Sequence, residues 1–459
     1  MKMGRSINRL VVVGASAGGL SAASRARRVN PGLEIVVFEK TEHVSVGFCE
    51  LPYLIAGYIK DRGEVIAVSL KDLRERRNLD VRIRHDVLGI NPTAKTVTYR
   101  DLESDKEHEI AYDRLVLSPG ASPIRPPIPG LKSPNVFVLH SLADADAIMD
   151  YIRERGPKNA VIVGGGYIGL EMLEALSRNE LSVTIVEMLP NVLGTMDDEL
   201  TSLVEAHLEK QGVTLALSSP LEKVVLGDDG YVRAVVAGGK QYPADMVFLA
   251  LGIRPNVNLA EEARIQLGGT GAIATDWKQK TSDESIFAAG DCCESQDIVT
   301  GRKVWVALGT TANKQGRIAG DNAAGGYSVF KGITSTAISK TFDIEIGRVG
   351  LTEKEAKKLG LDYETVVASA RSRSGTYPGA RKIRVKLVFE RVGGRLLGGQ
   401  VVGEDGVLAR TNVLACAMFN RLTVEEAARY DLAYAPPFAP VWDAVLVACN
   451  LAAKKVKTR

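Results

Sequence analysis

Two runs of apolar, mostly β-branched residues, Leu10 to Val13 and Ala160 to Val163, open the same pattern in distant parts of the chain. Each is followed by a glycine-rich turn, a stretch that reads as a helix, and a second apolar run ending on an acidic residue. The first copy is LVVVGASAGG, a helix through about Arg28, then EIVVFEK ending at Glu39. The second is AVIVGGGYIG, a helix through about Arg178, then SVTIVEM ending at Glu187. Strand, glycine turn and helix together set a helix N-terminus against a pyrophosphate, and the acidic residue about 20 positions on suits a ribose hydroxyl. A duplicated βαβ unit predicts two dinucleotide sites in an α/β fold. The second loop is a complete G-x-G-x-x-G at Gly164, Gly166 and Gly169, whereas the first (Gly14, Ser16, Ala17, Gly18, Gly19) has serine at the middle glycine.

Further along, TSDESIFAAGD carries an apolar run into Gly290-Asp291 and precedes the helix-like TANKQGRIAGDNAAG. Residues 112–123 (YDRLVLSPGASP, with Gly120) and 245–255 (DMVFLALGIRP, with Gly252) read as strands crossing between two nucleotide-binding units. After about residue 330 the glycine-turn pattern gives way to mixed strands and helices, which predicts a third, α+β domain.

The bulk properties narrow the function classes. At 459 residues the chain has material for roughly three domains. Its net charge of +3, from 58 basic and 55 acidic residues, is too small and dispersed to argue for nucleic acid. No apolar run approaches the roughly 18 to 20 residues of a membrane span, and the N-terminal run is too short for a signal peptide. Five cysteines without regular spacing form no disulfide framework, so a reducing, cytoplasmic setting is expected. The five histidines are scattered and no metal-ligand cluster is apparent.

One cysteine stands apart. In HVSVGFCELPYLIAGYI, Cys49 immediately precedes a predicted helix with Pro52 in its first turn. The positive end of a helix favours thiolate over thiol, so a lowered pKa and a nucleophilic role are expected there; an inert core cysteine is the ordinary alternative. Cys292 and Cys293, being adjacent, lack C-x-x-C geometry and read as core residues.

In order, the chain carries the first glycine motif, Ser45-x3-Cys49-x-Leu51-Pro52-Tyr53, the second glycine motif, Gly290-Asp291 and Tyr434-Ala-Pro-Pro-Phe438. This arrangement resembles the single-cysteine branch of the pyridine nucleotide–disulfide oxidoreductases, nearest the coenzyme A disulfide reductases and NADH-dependent persulfide/polysulfide reductases. The resemblance covers essentially the whole chain. It implies two Rossmann-like domains of glutathione-reductase type and a C-terminal dimerisation domain. Residues 1–120 and 255–330 would bind FAD, 121–254 would bind NADH (with NADPH as an alternative), and 331–459 would pair two subunits into a homodimer.

By the same resemblance, Gly14 to Gly19, Glu39, Lys40, Gly120, Gly290 and Asp291 would hold FAD. Gly164, Gly166, Tyr167, Ile168, Gly169, Glu171, Glu187 and Gly252 would serve the nicotinamide nucleotide or its junction with the flavin. Arg25 and Arg28 would face the phosphates of coenzyme A, and Ser45 would contact the substrate. Tyr377 in GTYPG and Tyr434 in AYAPPF match two family tyrosines thought to reach the partner's cysteine. Positions 50–55 hold no second cysteine, so an internal dithiol is excluded and an external thiol is required. Related NADH oxidases and peroxidases typically have a histidine in the first glycine loop, which this loop lacks. The family commonly has asparagine before the cysteine, where this chain has Phe48, so the final acceptor, a small-molecule disulfide or a polysulfide, stays open. Oxygen or peroxide reduction and a flavin-bearing redox sensor are the competing readings.

Overall fold

The structure is a computed structural model that describes residues 7–457. The first apolar run forms the strand Arg9–Val13, the centre of a five-stranded parallel sheet. It is flanked by Glu34–Phe38 on one side and Arg114–Leu117 on the other. Asp80–Arg82 and Ile286–Ala288 complete the edges. The three inner strands are nearly continuous hydrophobic runs because both faces are covered, as parallel sheets require, whereas the edge strand Asp80–Arg82 buries only Val81. The second run forms Asn159–Val163, central in another five-stranded parallel sheet with Ser182–Val186, Thr214–Ala216, Met246–Leu249 and Val136–Phe137.

In each sheet the chain leaves the central strand between neighbours lying on opposite sides, the crevice where open α/β sheets bind ligands. The first sheet takes strands from both sides of the segment that builds the second. The two crossings pair as a short antiparallel ribbon, Ala121–Pro123 with Ile253–Pro255.

Beyond residue 330 five antiparallel strands, Ala337–Thr341, Ile344–Gly350, Leu396–Gly403, Lys382–Glu390 and Tyr363–Arg371, form the third sheet in that spatial order. The helices Val407–Phe419 and Ala444–Ala453 cover it, and its core centres on Leu387, Phe389, Val401, Leu414 and Val445. This third sheet is fastened to the second nucleotide-binding unit by charge. The fully buried Lys386 ammonium meets Asp197 at 3.1 Å, Glu199 at 2.8 Å and Glu353 at 2.6 Å, and Gln400 donates to Asp197 at 2.6 Å. Burial disfavours the charged lysine, but three carboxylates outweigh it and raise its pKa.

In the first unit the helices Ala17–Val29 and Gly309–Ala323 press together through small residues. A Cβ on Gly316 would stand 2.2 Å from the Gly18 carbonyl oxygen, and one on Gly320 2.0 Å from that of Ala22. That contact sets the first glycine loop beside the Gly290-Asp291 turn.

Candidate active site

The two glycine loops share one geometry. Gly14 and Gly164 both have positive φ, +97° and +109°. A Cβ on either would strike a neighbouring carbonyl, that of Ser118 at 2.2 Å or that of Ala250 at 2.4 Å. Gly19 and Gly169 lie against the carbonyls of Gly14 and Gly164, with only 1.9 and 2.1 Å available to a Cβ. The middle position differs. Gly166 has an extended backbone, φ −78° and ψ −173°, with open space where a Cβ would stand, and Ser16 takes a similar extended conformation at φ −112° and ψ −154°. Serine is therefore accommodated at the position where the sequence departs from the motif. Neither residue caps its helix with a side chain, so the first-turn N–H groups stay directed at a ligand.

The acidic strand ends repeat as well. Glu39 accepts the Ala15 N–H at 2.9 Å and the Thr41 N–H at 2.9 Å; Glu187 accepts the Gly165 N–H at 2.7 Å and the Leu189 N–H at 2.8 Å. Each carboxylate is thus oriented at the mouth of its loop, where a ribose would lie. Lys40 is exposed and pairs with Asp86 at 2.7 Å. Gly120 and Gly252 both turn with positive φ at the start of the crossing ribbon.

Asp291 carries the fit to a flavin nucleotide. Desolvation pushes its carboxyl up to about 6, and among the described residues it receives no protein hydrogen bond. A carboxyl left unpartnered in a desolvated cleft beside Gly18 and Gly290 suits the hydroxyls of a ribityl chain. The second loop suits a nicotinamide dinucleotide. Exposed apolar Ile168, Met188 and Leu189 flank it, and the Tyr167 hydroxyl is buried behind it. Cys292 and Cys293 are buried and bond to backbone carbonyls.

Cys49 lies in the 3-10 turn Phe48–Glu50, which runs into the five-residue helix Leu51–Ile55. Its loop starts at the first nucleotide site, where the Ser45 N–H donates to the Ala15 carbonyl at 2.9 Å. Ser45 holds a positive φ of 54°, a strained backbone for a residue with a side chain. The expected lowering of the thiol pKa does not occur. Desolvation, then the charges of Glu171, Asp291 and Glu50, raise it instead. Five residues are too few to build an effective dipole, and three carboxylates oppose what remains of it.

Tertiary packing brings further groups to the Cys49 loop, and of these His140 has no local signature in the sequence. Phe48 stacks on His140, centroids 5.6 Å apart at 18°, and burial lowers the pKa of His140, so the imidazole is neutral at neutral pH. Burial pushes Glu171 up to about 7, and its Oε1 accepts the Ser339 hydroxyl at 3.2 Å. Burial, with the charges of Glu171, Glu174 and Cys49, holds the Tyr53 phenol at about 12, so it stays a proton donor. One turn along from Glu171, Glu174 accepts the Tyr58 hydroxyl at 2.7 Å and the Phe342 N–H at 2.7 Å, tying the three domains together behind the cysteine.

The remaining sequence-predicted residues fall into two places. Arg25 is held by the buried Asp321, Nε to Oδ1 at 2.6 Å, and so is already paired in the chain alone. Arg28 is exposed, and desolvation followed by the like charges of Arg317, Arg25 and Arg77 lowers its pKa. Tyr377 and Tyr434 are both exposed on the C-terminal domain. Their segments touch, the Ser374 N–H donating to the Pro436 carbonyl at 3.2 Å. Phe438, Val441 and Trp442 continue an exposed apolar face beside them in the chain.

The comparisons agree with this architecture. Residues 8–316 match the family described as pyridine nucleotide-disulphide oxidoreductase, and residues 336–445 match its dimerisation domain. The chain belongs to the pyridine nucleotide-disulphide oxidoreductase family, flavoenzymes that use FAD and NAD(P)H. Among similar proteins is the NAD(P)H coenzyme A polysulfide/persulfide reductase of Pyrococcus horikoshii, 39% identical over 97% of this chain and 98% of that one. A Methanocaldococcus jannaschii protein named NADH oxidase is 37% identical over 98% of this chain and all of its own. The structure of reduced Bacillus anthracis CoADR-RHD superposes with a TM-score of 0.95 at 37% identity, covering 98% of this chain and 81% of that one. No described helix is long and apolar enough to cross a membrane.

Proposed function

We propose that the chain is an NADH-dependent reductase of coenzyme A disulfide or of a related persulfide or polysulfide, with Cys49 as its nucleophile. The observation that carries this reading is the single cysteine in the strained Ser45–Glu50 loop, fixed against the first nucleotide site and without a second cysteine in reach along positions 50–55. FAD and NADH, when bound, supply the electron pair. The Cys49 thiolate attacks one sulfur of the incoming disulfide, forming a mixed disulfide and releasing the other half as a thiolate. Breaking the mixed disulfide with two electrons returns Cys49 and frees the second thiol.

The protein's own groups handle the protons. Glu171, poised near neutrality behind the sulfur, takes up or returns a proton as the thiol and thiolate interchange. Tyr434 and Tyr377 are proposed to reach the cysteine of the partner subunit and protonate the leaving thiolate. The like-charged group around Arg28 is proposed to take the phosphates of coenzyme A, with Arg25 backing it through Asp321. The glycine loops, Glu39, Asp291 and Glu187 are proposed to hold the two nucleotides. Residues 1–120 and 255–330 are proposed to form the FAD-binding unit, 121–254 the NADH-binding unit and 331–459 the dimerisation unit.

The name of the Methanocaldococcus jannaschii relative favours a second reading, oxygen or peroxide reduction. The histidine-free loop Gly14 to Gly19 weighs against it. The test is steady-state turnover of Cys49→Ser on coenzyme A disulfide, a persulfide, a polysulfide and oxygen. Loss on the sulfur acceptors supports the proposal, and wild-type turnover on all of them refutes it.

A further inference from the structure

Glu50 follows Cys49 directly and is exposed. Its N–H donates to the Gly47 carbonyl at 2.8 Å, and its carboxylate folds back over the same loop, where a Cβ on Gly47 would stand 2.7 Å from Oε2. Among the described residues no cation or hydrogen-bond donor pairs with that carboxylate. On the other flank of Cys49 lies the Phe48–His140 stack, an apolar lip whose imidazole is neutral. The positive cluster of Arg28, Arg317 and Arg77 belongs to the far end of the Ala17–Val29 helix, about 15 Å along its axis from the glycine loop.

We propose that Glu50 is a specificity-determining residue: its charge disfavours small anionic sulfur species at Cys49 and favours disulfides whose anionic groups lie far from the S–S bond. The inference rests on Cys49 being the nucleophile. A hydropolysulfide or a persulfide anion carries its charge at or next to the sulfur under attack, so it must approach against Glu50. A coenzyme A disulfide carries neutral pantetheine arms at the sulfur and phosphates well removed from it. The two classes are thus separated by where their charge sits rather than by sulfur reactivity.

The test uses the intact FAD-containing protein, reduced, with Cys49 alkylation followed by peptide mass. Iodoacetate is anionic and iodoacetamide neutral; both react with the same thiolate, so their rate ratio cancels thiolate fraction and reports local charge. In wild type at low salt the ratio should lie below that of 2-mercaptoethanol. In Glu50→Gln it should rise about three- to fivefold, and in Glu50→Lys further, as expected for one unscreened charge near the sulfur. At about 1 M salt the three proteins should converge, because the Debye length falls to about 3 Å. In parallel, kcat/KM for polysulfide relative to coenzyme A disulfide should rise in Glu50→Gln by a similar factor. An unchanged alkylation ratio in both variants overturns the proposal, even where Cys49→Ser is inactive. Turnover retained by Cys49→Ser overturns the nucleophile reading instead, since the alkylation ratio needs no turnover.

Discussion

The Ser339 hydroxyl donates to Glu171 Oε1 at 3.2 Å, joining the C-terminal sheet to the helix that carries the second glycine loop. That carboxyl is held up to about 7, chiefly by burial, from an ordinary value near 4.5. The folded state therefore binds its proton more tightly, and the stability this contributes is present at acid pH and is lost as pH rises toward 7. The shift corresponds to a difference on the order of 3 kcal/mol at most. Glu171→Gln should flatten the fall in Tm between pH 5 and pH 8. It should also lower the pKa of Cys49, seen as a shift of its alkylation profile toward acid pH.

The buried Lys386 holds Asp197, Glu199 and Glu353 across the junction between the second nucleotide-binding unit and the C-terminal sheet. Replacing it by methionine leaves Asp197 buried without its cation. A loss of about 3 to 5 kcal/mol is expected. Chemical denaturation of Lys386→Met against wild type measures it, and the double exchange Lys386→Met with Asp197→Asn, which removes the buried unpaired charge, should recover part of the loss.

Tyr377 and Tyr434 are tied together through Ser374 and Pro436 on an exposed face of the domain that matches the family's dimerisation domain. Their proposed action across the dimer has a definite signature. Cys49→Ser and Tyr434→Phe subunits, each with little disulfide turnover alone, should regain about a quarter of the wild-type activity after dissociation and random reassociation. Reduction of the bound flavin by NADH should be unaffected in Tyr434→Phe.

Glu187 is oriented by the Gly165 and Leu189 N–H groups at the end of its strand, and Met188, Leu189 and Pro190 follow it without a cation. A carboxylate placed here would accept ribose hydroxyls and repel a 2′-phosphate. NADH should be preferred over NADPH, and Glu187→Ala should raise KM for NADH while lowering it for NADPH. Initial rates with both donors decide this.

The fold was legible because the glycine turns, the apolar strands and Glu39 and Glu187 are local patterns repeated within about 30 residues. Even the serine at the middle of the first loop has a local cause, an extended backbone that needs no glycine. The electrostatics of Cys49 were not legible. Its sequence neighbours suggest a helix N-terminus, but the charges of Glu171 and Asp291 arrive from residues more than a hundred positions away and reverse the shift. The pairing of Arg25 with Asp321, 296 residues apart, and the stacking of Phe48 on His140 are likewise products of the tertiary fold. Glu50 alone among the missed groups was open to reading, as a charge adjacent to a candidate nucleophile.

The most direct measurement is the mass of the Cys49 peptide after the FAD-containing protein is treated with coenzyme A disulfide and digested without reductant, before and after NADH. The account predicts one coenzyme A per subunit, on Cys49 alone, removed when NADH is added. An adduct absent from Cys49, or one that survives NADH, would contradict it.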